Sequence, residues 1–139
     1  MRCSADRMEN IDKAERAVRR AAQQGANLIL LPELFERPYF CQERRYEYYE
    51  YAEPVRENLA VQRLQKLTAE LNVAVPVSIF ERDGNSFYNS VAMLDGGKLL
   101  GVYRKTHIPD DHYYQEKFYF TPGNTGFLVF STQFCNVGV

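Results

Sequence analysis

The sequence lacks the features that mark membrane, secreted and nucleic-acid-binding proteins. No stretch approaches the ~18 consecutive apolar residues of a membrane-spanning helix, and the opening MRCSADRMENIDKAERAVRR has no apolar signal-peptide core. The 17 basic residues nearly balance the 18 acidic ones, so the formal charge is −1, without the basic excess that binding to a phosphate backbone needs. We therefore expect a cytoplasmic protein whose partners include neither a membrane nor nucleic acid.

Cysteine is scarce and irregularly spaced. Cys3, Cys41 and Cys135 are odd in number and form no CxxC or CxxH pattern, so neither a disulfide framework nor a zinc site is indicated. Cys41 and Cys135 are the two candidates for a nucleophile, but neither follows a strand-to-helix elbow, where a helix N-terminus lowers the pKa of a thiol. We expect ordinary thiols at all three positions.

The remaining composition is that of a globular protein. Hydrophobic residues make up 45% of the chain and charged residues 25%, and 139 residues suit a single domain over 1–139. Tryptophan is absent, but ten Tyr and nine Phe need a place to pack.

The hydrophobic pattern predicts an α/β fold with helices layered on a mixed sheet. A helix over Asn10–Gln24 is indicated by apolar residues at helical spacing, with Asn10 as its cap and Gly25 at its end. The run 27–31, closed by Pro32, predicts a strand covered on both faces. The other predicted elements are a helix over 57–71 that Asn72 stops, and strands over 73–80, 87–94, 98–104, 127–130 and 136–139.

Two loops are rich in polar and aromatic residues. The first, 35–52, is expected to contain a short helix, and the second, 105–125, one helical turn at 113–118. The first helix has no strand before it and the chain stops inside an apolar run, whereas termini usually lie in exposed polar segments. We therefore expect the domain to be incomplete at both ends.

Glu33 is the first candidate for chemistry. It follows the end of a predicted strand, where open α/β sheets bind their ligands. Apolar neighbours on both sides are expected to desolvate the carboxylate and raise its pKa toward the range of a general base. A helix-capping or ion-paired glutamate is the alternative.

Lys105 also lies at a predicted strand end, where an ammonium could stabilise an oxyanion, although most such lysines are surface residues. Glu116, within YYQEKFYF, is on its own evidence a structural ion pair. The segment KTHIPDDH resembles a metal cluster only superficially, because its spacing matches no established ligand pattern. Hydrogen-bonded loop residues are expected instead at His107, Asp110, Asp111 and His112.

Four segments together resemble the nitrilase superfamily of carbon–nitrogen hydrolases, in family order and spacing. They are GANLILLPELFERPYFCQ, LNVAVPVSIFER, FYNSVAMLDGGKLLGVYRKTHIPD and YYQEKFYFTPGNTGF. The resemblance covers nearly the whole chain and implies a partial α-β-β-α sandwich that corresponds to the first half of the family's domain.

The resemblance also implies roles for particular residues. Glu33 would be the general base, Lys105 the oxyanion partner, and Glu116 the second glutamate that holds the lysine and substrate in place. The cysteine nucleophile is expected in a G-V-A-I-C-W motif, of which this chain contains the first two residues, Gly138 and Val139. The cysteine itself would lie three residues beyond Val139. No metal or organic cofactor is implied.

Within the superfamily, the sequence is most similar to the branch that hydrolyses N-carbamoylputrescine to putrescine, ammonia and carbon dioxide. The resemblance therefore implies a small N-carbamoyl amine substrate and a full-length protein that forms homo-oligomers. The candidates for binding the substrate's far ammonium are Glu36, Glu43, Glu47, Glu50, Asp110 and Asp111.

Two alternatives stay open. One is an enzyme of the β-ureidopropionase type, in which a cation such as Arg37 or Arg104 would bind the carboxylate of an N-carbamoyl amino acid. The other is an inactive, truncated chain that serves only as an interaction partner. The chain by itself is expected to be inactive, because the nucleophile that the family needs is missing from it.

Overall fold

The computed structural model describes all 139 residues and combines two α-helices with three long strands and two short hairpins, which confirms the α/β class. The α-helices are α1 (Arg7–Gln23) and α2 (Leu59–Leu71). The strands are β1 (Ala74–Asp83), β2 (Ser86–Asp95), β3 (Lys98–Arg104), β4 (Asp110–Asp111), β5 (Tyr114–Gln115), β6 (Val129–Ser131) and β7 (Asn136–Gly138). Neither α-helix combines the length and apolar character needed to cross a bilayer.

The predicted start of the first helix, with Asn10 as its cap, is wrong. Helix α1 begins three residues earlier, because the Asp6 carboxylate accepts hydrogen bonds from the free amides of Met8 and Glu9. Asn10 is instead fully buried, and its amide group donates to the backbone carbonyl of Glu36 at 3.0 Å. A residue that sequence reasoning assigned to the helix end therefore anchors the loop that follows Glu33.

Helix α2 agrees better with the sequence. It begins at Leu59 rather than 57, since the Asn58 side chain caps it by accepting from the Val61 amide at 3.0 Å. The predicted stop at Asn72 is confirmed: this residue takes a left-handed conformation with φ of 50°, which ends helices in many proteins.

The three long strands form the predicted antiparallel meander in the order β1-β2-β3. Tight turns at Gly84 and at Gly96 and Gly97, all with positive φ, join them. Phe80 on β1 lies opposite Asn89 on β2. The central strand β2 therefore carries Asn89 between two partner strands.

The predicted strand over 27–31 does not form. The segment makes a single parallel bridge to β1, in which the Ile29 amide donates to the Ala74 carbonyl at 3.0 Å. Pro76, two residues along β1, has no N–H to continue the ladder. Leu30 is 80% exposed, so the segment is not covered on both faces.

Two hydrophobic cores result. The larger one lies between the two helices and the sheet and includes Ile11, Val18, Phe35, Leu64, Val75 and Ile79. The smaller one takes up the aromatic side chains of the two long loops and includes Leu34, Phe40, Phe80, Tyr119 and Phe120. Many of the Tyr and Phe side chains of the chain therefore pack in this second core.

The loops hold more local structure than was predicted. The first contains two 3₁₀ helices, over Phe40–Gln42 and Tyr46–Tyr51. In the second, the helical turn is confined to Glu116–Phe118, because Tyr113 takes a left-handed φ of 67° in the turn of the β4–β5 hairpin. Strands β6 and β7 pair with each other and do not join the central sheet.

Gly123 is required where the second loop returns against the end of β3. Its amide donates to the Lys105 carbonyl at 2.8 Å, and a β-carbon there would overlap the backbone carbonyl of Arg104. We expect Gly123→Ala to lower the free energy of unfolding by about 3 kcal/mol through this overpacking, measured by urea denaturation followed by circular dichroism.

The control for this prediction is Gly138→Ala, because a β-carbon on Gly138 meets no atom within 4 Å. Its unfolding midpoint should stay close to that of the unaltered chain. Equal midpoints for the two variants would contradict the close approach at Gly123.

Candidate functional site

Glu33, Lys105 and Glu116 come from three separate parts of the chain and meet at one place. Lys105 directly follows β3, Glu116 follows β5, and Glu33 lies in the turn after the bridge to β1. The Lys105 ammonium nitrogen lies 3.0 Å from Glu33 Oε1 and 2.9 Å from Glu116 Oε2. A single cation is therefore held between two carboxylates.

Glu116 is the buried member of this group, with 2% of the residue exposed. The Tyr39 hydroxyl donates to its Oε1 at 2.7 Å, while Oε2 faces the lysine. The ion pair that its sequence surroundings suggested is thus formed, and its partner is Lys105. A buried carboxylate with both oxygens satisfied is a fixed support for the lysine.

The surroundings of Lys105 keep it charged. Burial lowers the pKa of the ammonium, but hydrogen bonds to Glu116 and Glu33 outweigh that effect and hold the pKa above its ordinary value. Lys105 therefore serves as a cation and hydrogen-bond donor at neutral pH, which suits an oxyanion partner and not a base. Burial, followed by the bond to Glu116, also raises the pKa of Tyr39, so its phenol stays protonated.

Glu33 is more open than the sequence suggested. Its side chain is 49% exposed, so the expected enclosure by apolar neighbours is wrong. Leu34 takes a left-handed φ of 50°, with its amide bonded to the Ser78 hydroxyl at 2.9 Å. This turn sends Leu34 into the smaller core and Phe35 into the larger one, which leaves Glu33 facing outward.

Asn89 belongs to the site and was missed. Its side-chain amide donates to Glu33 Oε1 at 2.6 Å, and its backbone carbonyl accepts from the Lys105 amide at 2.8 Å. The sequence held one signal: an asparagine, which is uncommon in strands, stands inside the β-forming run FYNSVAM.

A cavity of about 280 Å³ opens beside these groups. Glu33, Asn89 and Lys105 form its polar side. The other lining residues are Leu30, Leu31, Pro76, Ser78, Val91 and Tyr103. The site thus combines a carboxylate and an ammonium with mostly apolar walls, as small-molecule sites commonly do.

None of the three cysteines takes the place of a nucleophile at this cavity. Cys41 is fully buried, and burial, followed by the Glu116 carboxylate, raises the pKa of its thiol. Cys135 is exposed in the turn between β6 and β7, and Cys3 is half-buried near the start of the chain. A thiol with a raised pKa is a poor source of thiolate.

The KTHIPDDH segment does not converge on one point. Asp110 lies 3.9 Å from the Arg44 guanidinium, the His112 ring contacts the Tyr113 ring at a tilted angle, and His107 lies beside Phe127. No three His, Cys, Asp or Glu side chains in the chain are grouped as metal ligands would be.

The two arginines considered as carboxylate binders are already engaged. Arg104 forms a two-bond pair with Glu81 at 2.9 and 2.5 Å and also binds Asp83 and Asn124. Arg37 donates to the Ala5 carbonyl and lies over the Tyr51 ring.

Among the proposed ammonium binders, Glu36 is engaged as well. Its carboxylate binds Arg7 at 2.5 Å and the Asn58 amide at 2.7 Å. Exposed Glu43 and Glu47 lie near Arg45. Glu50 and Asp111 have no ion-pair partner.

Comparison with known proteins identifies the family to which this chain is similar. The carbon–nitrogen hydrolase family matches residues 1–139. The chain is 51% identical to N-carbamoylputrescine amidase from Oryza sativa over 99% of its own length and 46% of that protein. It is 46% identical to a citrullinase from Francisella tularensis over 94% of its length and 46% of that protein. The chain thus spans slightly less than half the length of these curated relatives.

Solved structures show the same fold. A carbon–nitrogen hydrolase from Helicobacter pylori superposes with a TM-score of 0.85 at 31% identity, over 95% of this chain and 46% of that one. An amidase from Nesterenkonia gives a TM-score of 0.74 at 26% identity, over 93% of this chain and 47% of that one. The architecture described above is therefore that of the nitrilase superfamily.

The Glu116 carboxylate is the main support for the Lys105 charge. In Glu116→Gln the lowering effect of burial is opposed only by Glu33, so we expect the pKa of Lys105 to fall. In the unaltered chain the pKa of Lys105 is higher in the folded state than the ~10.4 of an unfolded lysine, so the charged lysine stabilises the fold below that pH. This stabilisation disappears as the pH rises through the folded-state pKa. Because Glu116→Gln lowers the folded-state pKa, the variant should lose stability at a lower alkaline pH than the unaltered chain.

The measurement is a carbon-13 NMR titration of the Lys105 Cε, together with thermal unfolding at a series of alkaline pH values. Glu57→Gln, an exposed site, is the control. A Lys105 titration that is the same in both variants would contradict the role of Glu116.

Proposed function

Since this chain belongs to the carbon–nitrogen hydrolase family, we propose that residues 1–139 form part of one α-β-β-α sandwich domain and supply its acid–base residues. The complete protein hydrolyses the carbamoyl group of an aliphatic N-carbamoyl amine, and N-carbamoylputrescine is the first candidate substrate. The observation that carries the proposal is the Lys105 ammonium between Glu33 and Glu116 at the edge of a small cavity.

In the proposed reaction, a cysteine thiol from the remainder of the parent protein gives its proton to Glu33. The thiolate attacks the carbamoyl carbon, and Lys105 donates to the oxyanion that develops. The intermediate collapses as the protonated Glu33 returns its proton to the leaving nitrogen. Water then cleaves the thiocarbamate, which restores the thiol and gives a carbamic acid, and the carbamic acid loses carbon dioxide to release its nitrogen as the second amine product. The sum is one N-carbamoyl amine and one water giving the amine, ammonia and carbon dioxide. No step requires a cofactor.

The substrate class is supported by what two relatives share. N-carbamoylputrescine and citrulline both carry a terminal ureido group on an aliphatic chain, and they are the substrates for which the rice and Francisella relatives are named. The mostly apolar walls of the cavity suit such a chain.

The state of the arginines favours the diamine substrate over an N-carbamoyl amino acid. Binding a substrate carboxylate through Arg104 would break its bonds to Glu81 and Asp83, and Arg37 is held by a backbone carbonyl and an aromatic ring. A substrate ammonium instead needs an acid; Glu50 and Asp111 have no ion-pair partner, but neither of them lines the cavity beside Lys105. Self-association of the complete protein and its cytoplasmic location stay predictions.

The test is a turnover assay of the complete gene product that contains this segment. We expect release of ammonia and putrescine from N-carbamoylputrescine, and a loss of roughly 10³-fold in kcat/KM for Glu33→Gln, because the general base is removed. Glu70→Gln, which alters a surface pair with Arg19, is the control. Preference for N-carbamoyl-β-alanine would overturn the putrescine assignment, and inactivity toward every ureido compound would overturn the reaction class.

A second expectation concerns residues 1–139 alone. Because no cysteine of the chain stands at the cavity, we expect this segment to release no ammonia from N-carbamoylputrescine, and a Cys135→Ala variant to behave the same way. Turnover that persists in Glu33→Gln but disappears in Cys135→Ala would show that Cys135 acts as a nucleophile after all.

A further inference from the structure

The two oxygens of the Glu33 carboxylate have different surroundings. Oε1 accepts hydrogen bonds from the Asn89 amide at 2.6 Å and from the Lys105 ammonium at 3.0 Å. Oε2 has no hydrogen-bond partner and no ion-pair partner in the chain. Because donors draw on the lone pairs of the oxygen they bind, Oε1 is the weaker proton acceptor of the two.

The orientation of the Asn89 side chain follows from this contact. A carboxylate oxygen only accepts hydrogen bonds, so the group that faces Oε1 must be the NH₂ of Asn89 and not its carbonyl. The residue itself is fixed, because it is 3% exposed and stands on the central strand β2 opposite Phe80.

Asn89 also sets the position of the cation. Its backbone carbonyl binds the Lys105 amide at 2.8 Å, directly after β3 ends. One residue therefore holds the side chain of Glu33 and the main chain of Lys105, so the spacing between carboxylate and ammonium depends on it.

Lysine alone would not orient the carboxylate. The terminal torsion of a glutamate is broad, and an ammonium is a point charge with rotatable donors that can pair with either oxygen. Glu33 is half exposed, and its side chain makes no other hydrogen bond that would fix its rotation. A planar amide on a rigid strand supplies the missing direction.

We propose that Asn89 is a positioning residue that holds Oε1 of Glu33 and leaves Oε2 as the oxygen that receives the proton. This inference rests on the proposed function of Glu33 as a base. It predicts that Asn89 acts on the protonation of Glu33 and on kcat, with little effect on KM, since Asn89 works through Glu33 rather than on the substrate.

The experiment uses the complete gene product and two variants. Asn89→Asp keeps the shape but places a second carboxylate against Oε1, and Asn89→Ala removes the donor. Both changes disfavour the charged form of Glu33. We expect the acidic limb of the kcat/KM profile to move to higher pH, by about one unit or more for Asn89→Asp and less for Asn89→Ala. kcat should fall by roughly tenfold or more, with KM within about twofold.

Ser90→Ala is the matched control. Its hydroxyl bonds the buried Glu81 carboxylate at 2.5 Å from the next position on β2, so the variant also loses a buried hydrogen bond to a carboxylate but leaves Glu33 untouched. The other groups near Glu33 that carry a charge or can ionise are the same in every variant; they are Lys105, Glu116, Tyr39, Cys41 and Tyr103. Ser90→Ala should lower the melting temperature without moving the acidic limb.

A second readout separates this inference from the proposed function. Carbon-13 titration of the Glu33 carboxyl carbon needs no turnover, and its midpoint should rise in Asn89→Asp and Asn89→Ala but not in Ser90→Ala. If the protein hydrolyses no ureido compound and the midpoints still move, the reaction is wrong and the contact between Asn89 and Glu33 stands. If the Asn89 variants titrate like Ser90→Ala, the positioning role is overturned, and Asn89→Ala decides this even where Asn89→Asp does not fold.

Discussion

The buried carboxylate of Glu116 is the constraint on which the site depends. A charge in this environment costs several kcal/mol unless a partner compensates it, and Lys105 and Tyr39 supply one partner for each oxygen. The main chain of Lys105 is fixed on both sides of this ion pair. Its amide is bound by Asn89 and its carbonyl by Gly123. The meander and the second loop are thus tied together at the residue that bears the cation.

The turn at Leu34 keeps the Glu33 side chain at the surface, although Leu31 and Leu34, close to it in the sequence, are buried. Leu34 and Phe35 are neighbours in the sequence but enter different cores. A left-handed conformation is unfavourable for leucine, and the bond to the Ser78 hydroxyl and the burial of the Leu34 side chain stabilise it. The Glu36 carboxylate, held by Arg7 and Asn58, anchors the far side of the same turn. Glu33 stays exposed while Leu34 and Phe35, the two residues that follow it, are buried.

The sequence was informative where local patterns decide the structure and less so where distant groups compete. The meander and helix α2 follow from alternation, turn glycines and the left-handed stop at Asn72, all of which are local. The start of α1 and the segment 27–31 depended on partners elsewhere: Glu36 takes Asn10 into the interior, and Pro76 on another segment ends the ladder. Asn89 could not be predicted for the same reason, since its role depends on a contact with Glu33, a residue far away in the sequence.

Glu33, Lys105 and Glu116 are brought together by contacts within these 139 residues. Each bond that orients Glu33 or Lys105 comes from a strand or turn of this segment, so the charged part of the site is organised independently of the thiol. An oriented pair needs little reorganisation when the reaction begins, which is the main advantage of a preorganised site. Under the proposed function, the thiol within reach of Glu33 and a wall that closes the apolar cavity would have to come from outside these residues. The exposed Leu30 side chain lines that cavity, and covering it would both exclude water and strengthen the electrostatic interactions between Glu33, Lys105 and a bound substrate.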